Sequence, residues 1–253
     1  REVAESNCAN PSSTHAAGRE AQDIIAAAAE QLGRLLNVHP GTLVWTSGAT
    51  ESDNLAMAGG ARHRAHRGRH LVTMKTEHKA VTDMFETLEK EGFEVTWVEP
   101  DSNGLVSPDV FAAALRDDTQ LASIMFVNNE TGVIQDIEAL GSICRERDVL
   151  FHVDGAQAVG KLPIDLGALP VDLLSLTGHK FYGPKGIGAL YIADRPGCHV
   201  DPILFGGGQQ RRIRPGTLPT DLVAGLGMAA EVAAGRIESD LEHLRGLRQA
   251  LWE

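Results

Sequence analysis

Seven short apolar runs recur along the chain, each followed by polar or glycine-rich residues and separated from the next by amphipathic stretches. This alternation restricts the fold more than any other feature. The runs lie at 43–45, 70–73, 94–98, 121–127, 150–154, 171–176 and 189–192. Helical periodicity falls between them. In 20–36, Ile25, Ala28, Leu32 and Leu35 share one face. Ser107 before Pro108 reads as an N-cap followed by a first-turn proline, and a further helix is expected over 136–147. Strands that alternate with helices and lack a polar face of their own predict an α/β fold, a mostly parallel sheet with helices on both faces. The chain has 253 residues, enough for one large core, and 27 glycines with only 5% aromatics suit close helix-on-sheet packing. No repeat of fixed period and no low-complexity linker divides it.

The net charge of −11 argues against nucleic acid as the main ligand. The basic run from His63 to His70 is the exception, and it is expected to be a solvated helix end and turn. Three widely spaced cysteines without a CxxC pair fit a reduced, cytoplasmic protein. No apolar run reaches the ~18 residues of a membrane span, and no signal peptide opens the sequence. Both ends look cut. The first residue is Arg1, and 238–253 is a helical pattern with Leu241, Leu244, Leu247 and Leu251 on one face.

In open α/β sheets, ligands gather at the carboxyl ends of the strands. That rule selects Ser47–Glu51, Thr76–Lys79, Val127–Gly132, His152–Gln157 and the opening stretch. Ser47-Gly-Ala-Thr50 ahead of a helix start is either a plain cap or an anion cup. Asp154 closes an apolar strand and needs a partner. A metal shared with His152, a capped turn and a protonated ring nitrogen are all open, and no third ligand stands at a diagnostic spacing, so no metal site is expected. Lys180 follows another apolar run. A neutral amine there would condense with an aldehyde, with Lys185 in Gly-Pro-Lys-Gly as its competitor. Phosphate cup, ring carboxylate and lysine together match the needs of pyridoxal phosphate.

Several strings carry a resemblance. They are Asn10-Pro-Ser-Ser-Thr-His15, Thr46-Ser-Gly-Ala-Thr-Glu-Ser-Asp-Asn54, Lys75-Thr-Glu-His-Lys-Ala80, Val127-Asn-Asn-Glu130, His152-Val-Asp-Gly-Ala-Gln157, Gly178-His-Lys-Phe-Tyr-Gly-Pro-Lys-Gly186 and Arg214-Pro-Gly-Thr-Leu-Pro219. In this order, over nearly the whole chain, they resemble the cysteine desulfurases, pyridoxal-phosphate enzymes of the class V aminotransferase-like group. The resemblance implies that Lys180 carries the Schiff base. It puts Ala49, Thr50, Thr177 and His179 at the phosphate, Asn129 and Gln157 near the ring oxygen, Asp154 at the pyridine nitrogen and His78 on the ring, where it also moves protons. Thr217 would reach the phosphate of a neighbouring subunit, which implies a homodimer. Pro215 departs from the small polar residue more usual in the family and is expected to stiffen that loop.

The implied reaction converts L-cysteine to L-alanine. It passes sulfur as an enzyme persulfide to an iron–sulfur scaffold or another acceptor, for cluster, thio-cofactor or tRNA biosynthesis. The resemblance implies a cofactor-binding large domain over 1–237 and, at 238–253, the start of a helix leading to a C-terminal small domain absent from this chain. The nucleophilic cysteine and the arginine for the substrate carboxylate would lie there, so this chain alone is expected to turn over cysteine poorly. Cys144 is expected in the core and Cys198 in a turn, and neither they nor Cys8 match the nucleophile. A selenocysteine lyase or other class V enzyme, or a non-catalytic cofactor-binding module, is the alternative.

Overall fold

The computed structural model describes residues 2–6 and 9–253; Arg1 and Cys8, both singled out in the sequence, lie outside the described residues. Seven strands form one sheet: β1 (Leu43–Thr46), β2 (His70–Met74), β3 (Glu94–Val98), β4 (Thr119–Met125), β5 (Leu150–Asp154), β6 (Leu173–Thr177) and β7 (Gly188–Ile192). Each coincides with one of the seven apolar runs to within two residues at either end. Their order is β1-β7-β6-β5-β4-β2-β3. All are mutually parallel except β7, which runs antiparallel to both β1 and β6. The expected mostly parallel sheet is therefore present.

The helices are α1 (Glu2–Ser6), α2 (Ala16–Leu36), α3 (Ala49–Asn54), α4 (Gly60–His63), α5 (Lys79–Lys90), α6 (Pro108–Ala114), α7 (Ile137–Glu146), α8 (Thr220–Ala234) and α9 (Ile237–Trp252). A π-turn at Leu55–Gly59 joins α3 to α4 in one continuous rod. Ser107 caps α6 as expected, accepting from the Val110 N–H, and Asp136 caps α7. Alternate strand residues feed two separate cores. Leu43, Trp45, Val72, Met74, Ile124, Phe151 and Leu174 pack with Ile25 and Leu32 of α2, Phe111 of α6 and Leu226 of α8. Val44, Leu71, Leu121, Leu150, Leu173 and Leu190 pack with Leu55 and Met57 of the rod and Phe85 of α5. Period-two side-chain alternation thus builds a helix layer on each face. Truncating a fully buried leucine such as Leu32 to alanine would cost about 2–5 kcal/mol.

The free edge of β1 is closed by a side chain. Gln210 accepts from the Trp45 N–H at 2.6 Å and donates to the Trp45 carbonyl at 2.8 Å, so one amide imitates a strand. The basic run differs from its expected solvation. It does form a helix end and turn, but Arg64 and His70 are buried. Arg64 donates to the carbonyls of Gly197 and Asp148. His70 is held between Thr119 at 2.7 Å and Thr96 at 2.8 Å. Among the described residues no helix is long and apolar enough to cross a membrane.

Candidate active site

The loops after β1, β2, β4, β5 and β6 meet at the carboxyl edge of the parallel strands around a cleft of about 500 Å³. Ala49, Thr50, His78, Asn129, Asp154, Gln157, Thr177, His179 and Lys180 all line it. Thr217, the tenth expected residue, does not; it is exposed on the loop before α8. The described residues of the opening stretch do not line the cleft either.

The cup is built by backbone. Gly48 has φ 154° and no side chain caps the start of α3, so the first N–H groups of the rod stay open to an anion. A Cβ on Gly188 would press on Gly48 Cα at 2.7 Å, so β7 and the cup touch backbone to backbone. The Thr177 hydroxyl lies beside Gly48 and bonds His179 Nδ1 at 3.0 Å. Burial and the neighbouring Lys180 and Lys185 charges hold His179 below the ordinary imidazole range.

Asp154 is 5% exposed and its Oδ1 accepts the Ala156 N–H at 2.9 Å, so it does cap its turn. Burial pushes its carboxyl above the usual range, against the Ala156 bond and the His78 and Lys180 charges. A carboxylate in that state gains from a cationic partner in the cleft. His152 is no co-ligand. Its two ring nitrogens bond Ser123 Oγ at 2.8 Å and Ser175 Oγ at 2.9 Å, and burial drives it down to about 3.

Lys180 sits in a 3₁₀ turn, Gly178–Phe181, and its side chain is exposed to the cleft. Lys185 is exposed there too, so burial does not separate the two. Position does: Lys180 is on a rigid turn next to β6, whereas Lys185 is in the following loop. Lys161 donates to Gln157 Oε1 at 2.6 Å, which leaves Gln157 Nε2 as the free end of that amide. His78 has a second duty the sequence did not disclose. It is the N-cap of α5, with Nδ1 accepting the Ala80 N–H at 3.1 Å, so only Nε2 is left for exchange.

Three further residues support this edge and were not foreseen. Glu77 is buried and accepts the Met125 N–H at 2.6 Å. Asn128 accepts from the N–H groups of Glu130 and Thr131 and donates to the Thr76 carbonyl, setting the loop that carries Asn129. Asp53 lines the cleft from within the rod, with both carboxyl oxygens lacking a hydrogen bond. All three lie inside the quoted motif strings, and that membership was the signal available for them.

Neither structurally described cysteine is suited to nucleophilic work. Cys144 is buried in the core, as expected, and its thiol is pushed far up by burial. Cys198 is pushed up to about 12 by burial and the Asp172 charge.

The sequence model of the class V aminotransferases matches residues 1–253. The chain belongs to the class V aminotransferase family. Cysteine desulfurase IscS of Vibrio vulnificus (strain YJ016) is 53% identical over 243 residues, covering 96% of this chain and 60% of that protein. A solved NifS-like protein superposes with a TM-score of 0.94 at 37% identity, covering 98% of this chain and 68% of that one. A solved structure titled SspA in complex with cysteine gives 0.88 at 43% identity, over 91% and 67%. The chain spans about 60% of the length of the curated relatives it matches. Its mixed seven-stranded sheet presents the cleft at the carboxyl ends of the parallel strands.

Proposed function

We propose that this chain is the cofactor-binding part of a pyridoxal-phosphate-dependent cysteine desulfurase. The observation that carries the reading is the convergence of nine expected residues from five loops on one cleft. The cleft's chemistry fits the cofactor: uncapped helix N–H groups and Thr177 for a phosphate, a buried carboxylate held by one backbone N–H for a ring nitrogen, and an exposed amine for an aldehyde. When bound, pyridoxal phosphate supplies an electrophilic carbon for amines and a ring that accepts negative charge.

The chain's own groups then have these roles. Ala49, Thr50, Thr177 and His179 hold the phosphate. Asp154 faces the ring nitrogen and keeps it protonated. Asn129 and Gln157 hold the ring oxygen, Gln157 through Nε2. His78 covers the ring. Lys180 Nζ takes and returns the proton at the substrate Cα, with His78 Nε2 as the second proton-transfer group. L-Cysteine is the substrate and alanine the product. The sulfur leaves as a persulfide on a cysteine outside this chain and goes to an iron–sulfur scaffold or another acceptor. The large domain ends at 237, and 238–253 leads to the small domain. The protein acts as a cytoplasmic homodimer. The exposed Thr217, held on its loop away from this cleft, supports its use by a neighbouring subunit. The curated relatives are named cysteine desulfurases, so the selenocysteine lyase and module readings are not carried forward.

The experiment is borohydride reduction of the protein loaded with pyridoxal phosphate, followed by peptide mass mapping. The pyridoxyl mass is expected on Lys180, and Lys180→Ala should carry none. A label on Lys185 or Lys161 in the wild type would reject the assignment.

A further inference from the structure

The basic run at 63–70 is not used by the cleft, and most of its cations are already tied down. Arg64 pairs with Asp148 at 3.3 Å, Arg67 pairs with the same carboxylate, and Arg69 bonds two carbonyls and lies 4.5 Å over the Phe93 ring. His63 is different. It meets His199 and Asp201, more than a hundred residues away in sequence.

This meeting is built rather than accidental. Asp201 N–H donates to the Gly59 carbonyl at 3.1 Å, and a Cβ on Gly59 would run into the Asp201 carbonyl. Gly59 and His63 are four residues apart on one helical rod, so they share a face. Val200 is fully buried and pins the segment between its two flanking polar residues. As a result His63 Nδ1 is 3.0 Å from Asp201 Oδ1, and the His63 and His199 ring centroids are 4.6 Å apart. One ligand atom from each of the three side chains lies within 4.8 Å of the others.

We propose that His63, His199 and Asp201 bind a first-row transition-metal dication of the zinc class. Two imidazoles and one carboxylate are a suitable donor set, with water completing the tetrahedron. Ligand atoms around tetrahedral zinc stand about 3.4 Å apart, given Zn–N bonds of ~2.0–2.1 Å. The half-buried His63 and Asp201 are hydrogen-bonded at 3.0 Å, so a metal ion would replace the shared proton and open the pair slightly, while the exposed His199 closes the remainder by side-chain rotation. The site lies at the end of the sheet opposite the cleft. α4 ends just before β2 begins, and 199–201 follows Ile192, which pairs with Leu173 at the start of β6. It therefore clips the α3–α4 rod to the segment after β7. Arg62, Arg64 and Arg67, the arginines flanking His63 in sequence, are each engaged with an acidic side chain.

The test titrates the full-length protein with Co²⁺ alone after chelator treatment. One equivalent should bind with visible ligand-field absorption and no near-ultraviolet thiolate charge-transfer band. His199→Ala and Asp201→Asn should each weaken that equivalent at least about tenfold and keep the wild-type thermal midpoint in chelator. Zn²⁺ should raise the midpoint of the wild type and not of His199→Ala. His66→Ala should change nothing. The proposal is overturned if wild type binds no equivalent, if the bound cobalt shows thiolate bands, or if His199→Ala binds as tightly as wild type.

Discussion

Asp53 Oδ1 stands 3.5 Å from His152 Nε2, and both side chains are almost wholly out of solvent. The pair is neutral rather than ionic. Burial, and then the charge of Asp154, push Asp53 well above the usual carboxyl range, while burial takes His152 down to about 3. Glu77 is pushed up in the same way by burial and Asp154. Three carboxyls thus share one buried region beside the cleft, and Asp154 stays ionised more readily when Asp53 and Glu77 are protonated.

The sign of the pH effect follows. A carboxyl whose folded pKa is raised binds more protons folded than unfolded, so its contribution to stability is full below the unfolded value and is lost as pH rises through the folded value. Asp53→Asn keeps the shape and removes this loss. The variant should therefore gain stability over wild type as pH climbs from ~4 to 8. His152 works in the opposite direction: held neutral, it adds stability above ~6.5 that is lost as pH falls toward 3. It is common to both proteins and cancels. Urea midpoints of wild type and Asp53→Asn measured across this range decide the matter; parallel curves would mean Asp53 is ionised in the fold.

The strands were legible because both faces of the sheet are covered. Each strand is then a short continuous apolar run, and the polar residue that ends it, such as Asp154 or Thr177, marks the cleft edge. The reversed direction of β7 was less visible, since apolar runs carry no polarity of direction. The signal available was the loop from Gly178 to Ile187, too short for the crossover a parallel neighbour needs. Helix α8 went unnoticed because its buried side is Val223, Leu226, Gly227 and Ala230 within a stretch apolar nearly all round. Asp53, Glu77 and the His63 cluster were hidden for another reason. Their burial or proximity is set by elements distant in sequence, and local pattern holds no record of that.

His78 combines a cap with a place in the wall of the cleft, and two substitutions separate the cap from the proton-transfer duty proposed above. Asparagine is a strong N-cap and offers no proton at Nε2, whereas alanine loses both functions. His78→Asn should keep the wild-type thermal midpoint and lose cysteine turnover in the full-length protein by about 10²-fold or more. His78→Ala should lose turnover equally and also be destabilised by about 0.5–2 kcal/mol. Equal stability of the two variants would show that the cap contributes nothing; full turnover by His78→Asn would remove His78 from the chemistry.

The loop carrying Thr217 is anchored from behind by Arg214, whose guanidinium bonds Glu51 at 2.7 and 3.2 Å in a half-buried fork. Burial pulls Glu51 up, but Arg214 and the Ser47 N–H outweigh it and leave the carboxyl below its usual range. With the folded value depressed, this contribution is present above the unfolded value and is lost as pH falls through the folded one. Glu51 is also in the first turn of α3, so the fork couples the anion cup to the Thr217 loop. Arg214→Ala should cost about 1–3 kcal/mol, from a charged hydrogen-bond pair left single. It should also weaken retention of pyridoxal phosphate by the full-length protein more than Thr217→Ala does, because it frees the loop and unpins the cup together. Arg214→Lys keeps the charge without the fork and should fall between wild type and alanine. Cofactor off-rates from dialysis, read for the three variants, test the order; a Thr217→Ala protein that loses cofactor faster than Arg214→Ala would place the control in the hydroxyl and not in the fork.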